Sequence, residues 1–270
     1  IPAGFLGNLK YGSIDVPPLF VRDGSLNQNF NAEFMLIRAC VISADRYISA
    51  MGVSSVDHLS VDEAGAMNKV TAMLSGSIQG TINPPKGYDQ GRFDLQQKVV
   101  MATGDERTVI VKAPAGLGKT LIGVLWSKLR SGKVLWVCPR NAVADAVYDN
   151  IVKEIGALGL SCTVELYRTG KRMKTNVENE REPFNSDIIV TNIDAIMSPM
   201  VNNRVAGRLF TIYGAHVVLD EFHEFVSDAP LFAAFVTYMR ARHRLAGNCK
   251  TLLLSATPSL VQTLWNTDER

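Results

Sequence analysis

The segment VIVKAPAGLGKTLIGVLW, residues 109–126, decides the fold of this protein. It begins with β-branched residues typical of a buried strand, continues through Ala, Pro and Gly, and ends with apolar residues at helical spacing after Lys119 and Thr120. The pattern predicts a strand, a tight loop and a helix in direct succession. Small residues let backbone N–H groups turn toward an anion, and the helix N-terminus points its positive end at the same place. This loop is therefore predicted to bind phosphate.

The same loop satisfies the P-loop pattern, with Ala113 in the position of the first glycine. In that pattern the lysine binds the β- and γ-phosphates of a nucleotide, and the hydroxyl residue after it ligates Mg²⁺. The alternative is a glycine-rich turn that only connects a strand to a helix, and the sequence GKT between the two elements argues against it. ATP and Mg²⁺ are therefore predicted as cofactors, held by Ala115, Gly116, Gly118, Lys119 and Thr120.

The composition excludes several classes of protein. Of the 270 residues, 47% are apolar and 20% are charged, as in ordinary globular domains rather than disordered or membrane-spanning chains. A net charge of +2 does not by itself indicate nucleic-acid binding, so that role depends on local motifs. The four cysteines lie far apart without a C-x-x-C pair, which argues against a zinc site or a disulfide framework. We expect a cytoplasmic protein without a membrane partner.

The chain is predicted to have three parts: a mainly helical segment over residues 1–60, a linker over 61–91 and an α/β domain over 92–270. Residues 31–50 carry apolar residues at helical spacing, and the linker is rich in Ser, Gly, Asp and Pro. In the third part, apolar β-branched strands alternate with helices, which predicts a parallel sheet flanked by helices on both faces. Right-handed crossovers place the carboxyl ends of the strands at one edge, where such sheets bind ligands.

Two adjacent acids end another predicted strand. In VVLDEFHEF, residues 217–225, Asp220 and Glu221 directly follow the apolar strand residues. An aspartate in that position can hold Mg²⁺ while the glutamate orients and deprotonates the attacking water, so both are predicted to act in hydrolysis. A solvated turn would also place two acids at a strand end, but the P-loop earlier in the chain favours the catalytic interpretation.

A third segment, LLLSATPS at residues 252–259, ends a further predicted strand. The segments AGLGKT, DEFH and SAT, in this order, resemble motifs I, II and III of superfamily 2 helicases in the DExH form. The resemblance implies a RecA-like P-loop lobe in which Lys119 and Glu221 are catalytic. It also implies that nucleotide state is coupled to nucleic-acid binding through His223, Ser255 and Thr257. For His223 the alternative is a histidine packed near a strand end.

The segment GRFDLQQKVV, residues 91–100, is similar to the adenine-binding segment of the same family. That similarity implies that Gln96 contacts the base and that Phe93 stacks on it. Because Gln97 follows directly, the sequence does not decide which of the two glutamines contacts the adenine. A glutamine on the surface of a helix is the alternative.

Two segments between the main motifs are similar to motifs Ia and Ib. In CPRNAVADAVY, Pro139 and Arg140 begin a predicted helix whose N-terminus would meet the nucleic-acid backbone. In IIVTNIDAI, Asn192 stands where the family more often has Thr, so the phosphate contact of motif Ib is not carried over. Residues 167–182 are basic and then acidic, and they are predicted to form a solvated loop, with DNA contact as the alternative.

The N-terminal part of the chain indicates a more specific resemblance within the helicases. The segment RACVISADRYISA, residues 38–50, resembles the last metal-binding helix of an HD phosphohydrolase domain, with Asp45 as a metal ligand. An HD domain upstream of a DExH core is the arrangement of the CRISPR-associated helicase-nuclease of type I systems. The resemblance implies single-stranded DNA and a CRISPR surveillance complex as partners, and a divalent metal for the nuclease. The chain contains no His-Asp dipeptide, so the other ligands of such a centre are not among these residues.

The resulting hypothesis is an ATP-dependent single-stranded-DNA translocase or helicase coupled to an HD nuclease. We expect this chain to contain the end of the nuclease domain and the first RecA-like lobe. A piece of that kind would lack the second lobe and its arginine finger, so little or no ATP turnover is expected from it alone. Two alternatives stay open: another DExH helicase acting on RNA or DNA, and a non-catalytic P-loop nucleotide-binding module.

Overall fold

The computed structural model describes residues 37, 39, 41–42, 74–84, 86–114, 116–168, 171–175, 184–201, 208–245 and 248–256. These residues all belong to one unit, Ala32–Arg270. Most of the predicted N-terminal domain and the first part of the predicted linker lie outside the described residues. The division of the chain at residues 60 and 91 therefore stays a prediction.

Seven helices and seven strands are described between residues 90 and 255. The helices are α1 Gln90–Ala102, α2 Lys119–Lys128, α3 Asn141–Ala157, α4 Ile193–Val201, α5 Leu209–Gly214, α6 Phe222–Ser227 and α7 Ala229–Leu245. The strands are β1 Thr108–Lys112, β2 Val134–Cys138, β3 Val164–Arg168, β4 Lys171–Lys174, β5 Ile188–Asn192, β6 His216–Leu219 and β7 Thr251–Ser255. None of the described helices is both long and apolar enough to cross a membrane.

The seven strands form one sheet in the order β1-β7-β6-β2-β5-β3-β4. Every pairing is parallel except that of β3 with β4. All residues of β2, β5, β6 and β7 are buried, which is why these strands are continuous apolar runs instead of alternating ones. The predicted α/β fold with a mostly parallel, helix-flanked sheet is confirmed.

Helices cover the two faces of the sheet in separate groups. Helices α1, α2 and α3 pack side by side, whereas α4, α5 and α6 pack against α7. Alternate residues of β2, such as Trp136, join the core beneath α1, α2 and α3. The residues between them, Leu135 and Val137, are equally buried, so the opposite face is covered as well. The strand ends are then the exposed part of the sheet where a ligand has access.

Residues 171–174 form a strand where the sequence predicted a solvated loop, although Arg172 and Met173 are exposed as predicted. They form β4, an antiparallel edge strand next to β3. The reason is Glu165 on β3, a carboxylate with no solvent exposure that requires partners. Arg172 Nε lies 2.9 Å from Glu165 Oε1, and the backbone N–H of Phe184 also donates to this carboxylate. The buried acid thus holds the edge strand and the returning chain together.

Candidate functional site

The predicted phosphate-binding loop connects β1 to α2 in the way the sequence indicated. Gly116 and Gly118 both have φ of 83°, in the left-handed region that favours glycine. Gly118 is the N-cap of α2, and a Cβ there would lie 2.5 Å from Gln96 Nε2, so a larger residue would clash as well as strain the backbone. The N-terminus of α2, which is partly exposed, is the end that attracts an anion. Ala115, also predicted to hold the nucleotide, lies outside the described residues.

Lys119, the first residue of α2, contacts the predicted catalytic glutamate directly. Its Nζ lies 2.5 Å from Glu221 Oε1, and the two side chains are 14% and 28% exposed. This charge-assisted hydrogen bond joins the start of α2, directly after the phosphate loop, to the chain that follows β6. Glu221 has φ of 46° and ψ of 46°, which is uncommon for a residue with a side chain. Such backbone outliers cluster at functional sites, because surrounding contacts must hold them in place.

Asp220 is held at both carboxylate oxygens. The backbone N–H of Glu221 donates to its Oδ1 at 2.9 Å, and Trp136 Nε1 donates to its Oδ2 at 3.3 Å. Asp220 is 4% exposed, and burial of its carboxyl raises its pKa, although the hydrogen bond from the Glu221 backbone opposes the rise. A carboxylate accepts about four hydrogen bonds, so each oxygen keeps a lone pair for another ligand.

His223 connects the glutamate to the neighbouring strand. Its Nδ1 lies 3.4 Å from Glu221 Oε2 and 3.3 Å from the hydroxyl oxygen of Ser255 at the end of β7. Lys119, Glu221, His223 and Ser255 therefore form one continuous set of contacts across three segments that are far apart in sequence. Thr257, the other residue predicted for this coupling, lies outside the described residues.

The structure separates the two adjacent glutamines of α1. Gln96 is fully buried and donates from Nε2 to the carbonyl of Leu117 in the phosphate loop at 2.6 Å. Gln97 instead lies in a groove beside Val100 and Leu125, away from that loop. Of the two, Gln96 is the one that supports the nucleotide loop.

Phe93 does not lie where a stacking residue is expected. Phe93 is 1% exposed and its ring forms part of the core, in an edge-to-face contact with Tyr88 whose ring centroids are 6.1 Å apart. Tyr88 is partly exposed, and the guanidinium of Arg92 lies 5.8 Å from its ring centre and donates to the carbonyl of Gly116. The sequence analysis missed Tyr88 and Arg92. Tyr88 lies two residues before α1 and Arg92 is the third residue of α1, and in the sequence these two positions look like an ordinary helix start.

The two segments similar to motifs Ia and Ib meet at one point. Arg140 is the N-cap of α3, follows Pro139, is 67% exposed at its side chain and pairs through Nε with Glu224 Oε2 at 3.1 Å. Asn192 donates to Asn141 Oδ1 at 2.7 Å and accepts from the backbone N–H of Ala195 at 2.9 Å. The asparagine that departs from the family pattern thus caps α4 and ties it to α3.

These residues fit a magnesium nucleotide. A lysine ammonium at a helix N-terminus, with two left-handed glycines before it, matches the chemistry of a polyphosphate. Thr120 lies in the first turn of α2, and Asp220 supplies the oxygen donor that Mg²⁺ prefers. Within the described ranges, no group of three or more His, Cys, Asp and Glu could hold a metal by itself. Asp45, predicted for a nuclease metal, lies outside those ranges.

Comparison with known proteins gives a family match over most of this region. Residues 93–264, more than half of the chain, match the model of the DEAD/DEAH box helicase family. No curated protein matches the chain in sequence.

Solved structures are similar at low sequence identity. Saccharomyces cerevisiae Dbp5 bound to RNA and ADP BeF3 is 16% identical over 68% of this chain and 44% of its own, with a TM-score of 0.46. A DEAD box protein from Methanococcus jannaschii is 20% identical over 66% and 46%, with a TM-score of 0.42. Mycobacterium smegmatis helicase Lhr bound to ssDNA and AMP-PNP is 22% identical over 66% and 26%, with a TM-score of 0.47. The chain spans less than half the length of each of these three proteins.

Proposed function

Because the chain belongs to the DEAD/DEAH box helicase family, we propose that it binds and hydrolyses ATP at the carboxyl edge of its sheet and uses that cycle to move on nucleic acid. The observation that carries the proposal is the contact between Lys119 and Glu221, at 2.5 Å. It brings the cation of the phosphate loop to the acid that follows the metal-binding aspartate. A nucleotide-binding module without catalysis has no need of that second acid.

Each residue has a definite chemical task in this proposal. Bound Mg-ATP would supply the phosphoanhydride bond to be cleaved and a Lewis acid at its oxygens. Lys119 and the N-terminus of α2 would bind the phosphates, while Thr120 and Asp220 would ligate the metal. Glu221 would accept a proton from the attacking water, because a carboxylate next to the phosphate loop is the available base.

The present contacts indicate an order of events at Glu221. Its two oxygens face Lys119 on one side and His223 on the other. When Lys119 turns to the phosphates, one oxygen becomes free to orient water, while His223 keeps the second oxygen in place. His223 also contacts Ser255, so the change at the nucleotide is transmitted to the end of β7. This is how hydrolysis would be coupled to nucleic-acid binding.

The proposed nucleic acid is single-stranded DNA, and the proposed biological setting is the helicase-nuclease of type I CRISPR systems. This part of the proposal is supported by the similarity of residues 38–50 to an HD metal-binding helix. The full-length protein would then carry a nuclease metal and work with a CRISPR surveillance complex. An RNA or DNA helicase with an unrelated N-terminal part is the competing proposal.

ATP turnover by the full-length polypeptide tests both parts of the proposal, which are the hydrolysis of ATP and the kind of nucleic acid that stimulates it. Turnover is measured alone, with single-stranded DNA and with single-stranded RNA of the same base composition. Stimulation by DNA alone supports the proposed substrate, and stimulation by RNA alone favours the competing helicase. Absence of turnover under all three conditions would support the non-catalytic module.

A matched pair of variants assigns the catalytic base. Glu221→Gln should keep ATP binding and reduce turnover by about a thousand-fold, within the range for loss of general-base catalysis and positioning. Glu224→Gln is the control, since Glu224 lies on the same segment but pairs with Arg140 and not with Lys119. Equal turnover by Glu221→Gln and the unmodified protein would overturn the assignment.

A further inference from the structure

Trp136 lies at the centre of the sheet, beneath the proposed nucleotide site. It occupies the middle of β2, is fully buried, and has Val190 of β5 and Val218 of β6 as its register partners on the two sides. An indole has a single polar group, its Nε1–H, which can only donate. Burying that group in a sheet is unfavourable unless it finds an acceptor.

The acceptor is the carboxylate that is proposed to ligate Mg²⁺. Trp136 Nε1 donates to Asp220 Oδ2 at 3.3 Å, while the backbone N–H of Asp220 donates to the carbonyl of Val137 at 3.0 Å. Strand β2 thus holds both the main chain and the side chain of Asp220. With Oδ1 accepting from the backbone of Glu221, rotation of the carboxylate about its own axis is restrained from both sides.

The same indole packs against the helix that carries the phosphate loop. A Cβ placed on Gly123 of α2 would lie 2.9 Å from Trp136 Cζ3 and 3.0 Å from its Cζ2, and closer still to Cη2. These distances are shorter than real contacts allow, so the ring fits only because residue 123 is glycine. Glycine in a helix interior costs about 1 kcal/mol of helix stability relative to alanine. At Gly123 the space for the indole therefore comes at the expense of helix propensity.

We propose that Trp136 is a positioning residue for the magnesium site, which it supports by holding the Asp220 carboxylate in one orientation. The inference rests on the proposed function. An aliphatic residue at position 136 could fill the same space in the sheet but could not donate a hydrogen bond to Asp220. Residues that orient a metal ligand in this way commonly account for about ten- to a hundred-fold of metal affinity.

The test measures metal dependence of nucleotide binding, without requiring turnover. Binding of a fluorescent ATP analogue to the full-length protein is titrated with Mg²⁺. Trp136→Phe keeps an aromatic ring and removes the N–H, and it should raise the Mg²⁺ concentration for half-maximal binding by about ten-fold or more. Binding without Mg²⁺ should be unchanged, since Lys119 and the glycines of the loop are retained.

Trp126→Phe is the matched control. Trp126 is equally buried and lies on α2, but its ring contacts His216 and Arg130 and not Asp220. We expect its Mg²⁺ dependence to stay within about two-fold of the unmodified protein, as for independent sites. A Trp136→Phe protein with the Mg²⁺ dependence of the control would overturn the inference. An unmodified protein whose nucleotide binding ignores Mg²⁺ would overturn the proposed metal site together with it.

A second set of variants separates folding from metal binding. Gly123→Ala alone should lower stability because the new methyl group collides with the indole. In the double variant Gly123→Ala/Trp136→Phe, the smaller ring makes room for the methyl group, so stability should recover while the weakened Mg²⁺ dependence remains. Recovery of both properties together would show that the indole acts only by packing, and would overturn the inference.

A spectroscopic measurement on the unmodified protein tests the inference without depending on the folding of any variant. These 270 residues contain three tryptophans, so they contribute at most three signals to the indole N–H region of a ¹H–¹⁵N spectrum. Adding Mg²⁺ to the ADP-saturated protein should shift the Trp136 signal and leave that of Trp126 in place. A Trp136 signal that does not respond to the metal would contradict the inference.

Discussion

Lys119 Nζ and Glu221 Oε1 are 2.5 Å apart, so the cation of the phosphate loop is paired with the acid proposed to activate water. The pair joins the start of α2 to the chain just after β6, and the two residues are 102 positions apart in the sequence. Without a competing phosphate, each group satisfies the other's charge. A bound polyphosphate would take the lysine and leave the carboxylate to act as a base.

Lys119→Ala should weaken ATP binding and reduce turnover by about a hundred- to a thousand-fold, because one preorganised charge at the phosphates is lost. Equilibrium binding of a fluorescent ATP analogue and steady-state turnover measure the two effects. Lys128→Ala is the control on the same helix, since its Nζ donates to the carbonyl of Ile78 and lies at the other end of α2. A comparable loss in both variants would mean that the effect comes from the helix and not from the phosphate loop.

His223→Ala should leave ATP binding nearly unchanged and reduce the stimulation of turnover by nucleic acid. The contacts to Glu221 and Ser255 that join the nucleotide site to β7 would be removed, while Lys119 and Asp220 would stay. Turnover with and without saturating nucleic acid gives the stimulation ratio. His243→Ala, an exposed change on α7, serves as the control. An unaltered ratio in His223→Ala would rule out this route of coupling.

Stability should fall as the pH decreases through the range of His216. This imidazole accepts from the backbone N–H of Lys250 at Nδ1, 3.0 Å, and faces the carbonyl of Ser131 at Nε2. Burial lowers its pKa below the usual value near 6.5, and the nearby cations Arg242 and Arg130 lower it further. A group with a lowered pKa in the folded state contributes stability above its unfolded pKa and loses it as the pH falls toward the folded value.

Urea unfolding at pH 7.5 and at pH 5.5 measures that loss. The free energy of unfolding should be smaller at the lower pH for the unmodified protein. His216→Gln cannot titrate, so the difference between the two pH values should shrink in this variant. If the variant and the unmodified protein show the same pH dependence, another group is responsible.

Arg242→Lys should destabilise the protein by about 2–4 kcal/mol, because a buried charge would lose most of its hydrogen bonds. Arg242 is 2% exposed, and its guanidinium donates to the carbonyls of Ala215 at 2.6 Å and Lys250 at 3.0 Å, and to the hydroxyl of Thr251 at 3.1 Å. A lysine ammonium cannot reach all of these acceptors from one position. Chemical denaturation gives the change, and Arg240→Lys on the exposed side of α7 should be within about 0.5 kcal/mol of the unmodified protein.

Several features of the site followed from local sequence. The small residues around Gly116 and Gly118 predicted a tight loop between a strand and a helix, and the structure has that loop, with φ of 83° at both glycines. Asp220 and Glu221 were placed at a strand end because the apolar run before them stops there. In both cases the sequence pattern and the structure that it predicts involve the same few residues. Both features could therefore be predicted without knowing any long-range contact.

Other features depended on partners that are remote in the chain. Glu165 is buried, and only the fold shows that Arg172 and the backbone at Phe184 satisfy it, which makes an edge strand from residues predicted as a loop. Gln96 and Gln97 are equivalent in sequence, but the rotation of α1 directs the first toward Leu117. Phe93 is similarly turned into the core by that rotation.

By itself, the sequence determined the α/β fold, the phosphate loop and the acids that end a strand, because strand and helix periodicity and glycine conformation are local properties. Only the tertiary structure decided which side chains meet. The parallel register of β2 with β6 places the indole of Trp136 beside Asp220, and the absence of a side chain at Gly123 leaves room for it. That three-way contact depends on the packing of two strands and a helix, and packing between remote segments leaves no periodic trace in the sequence.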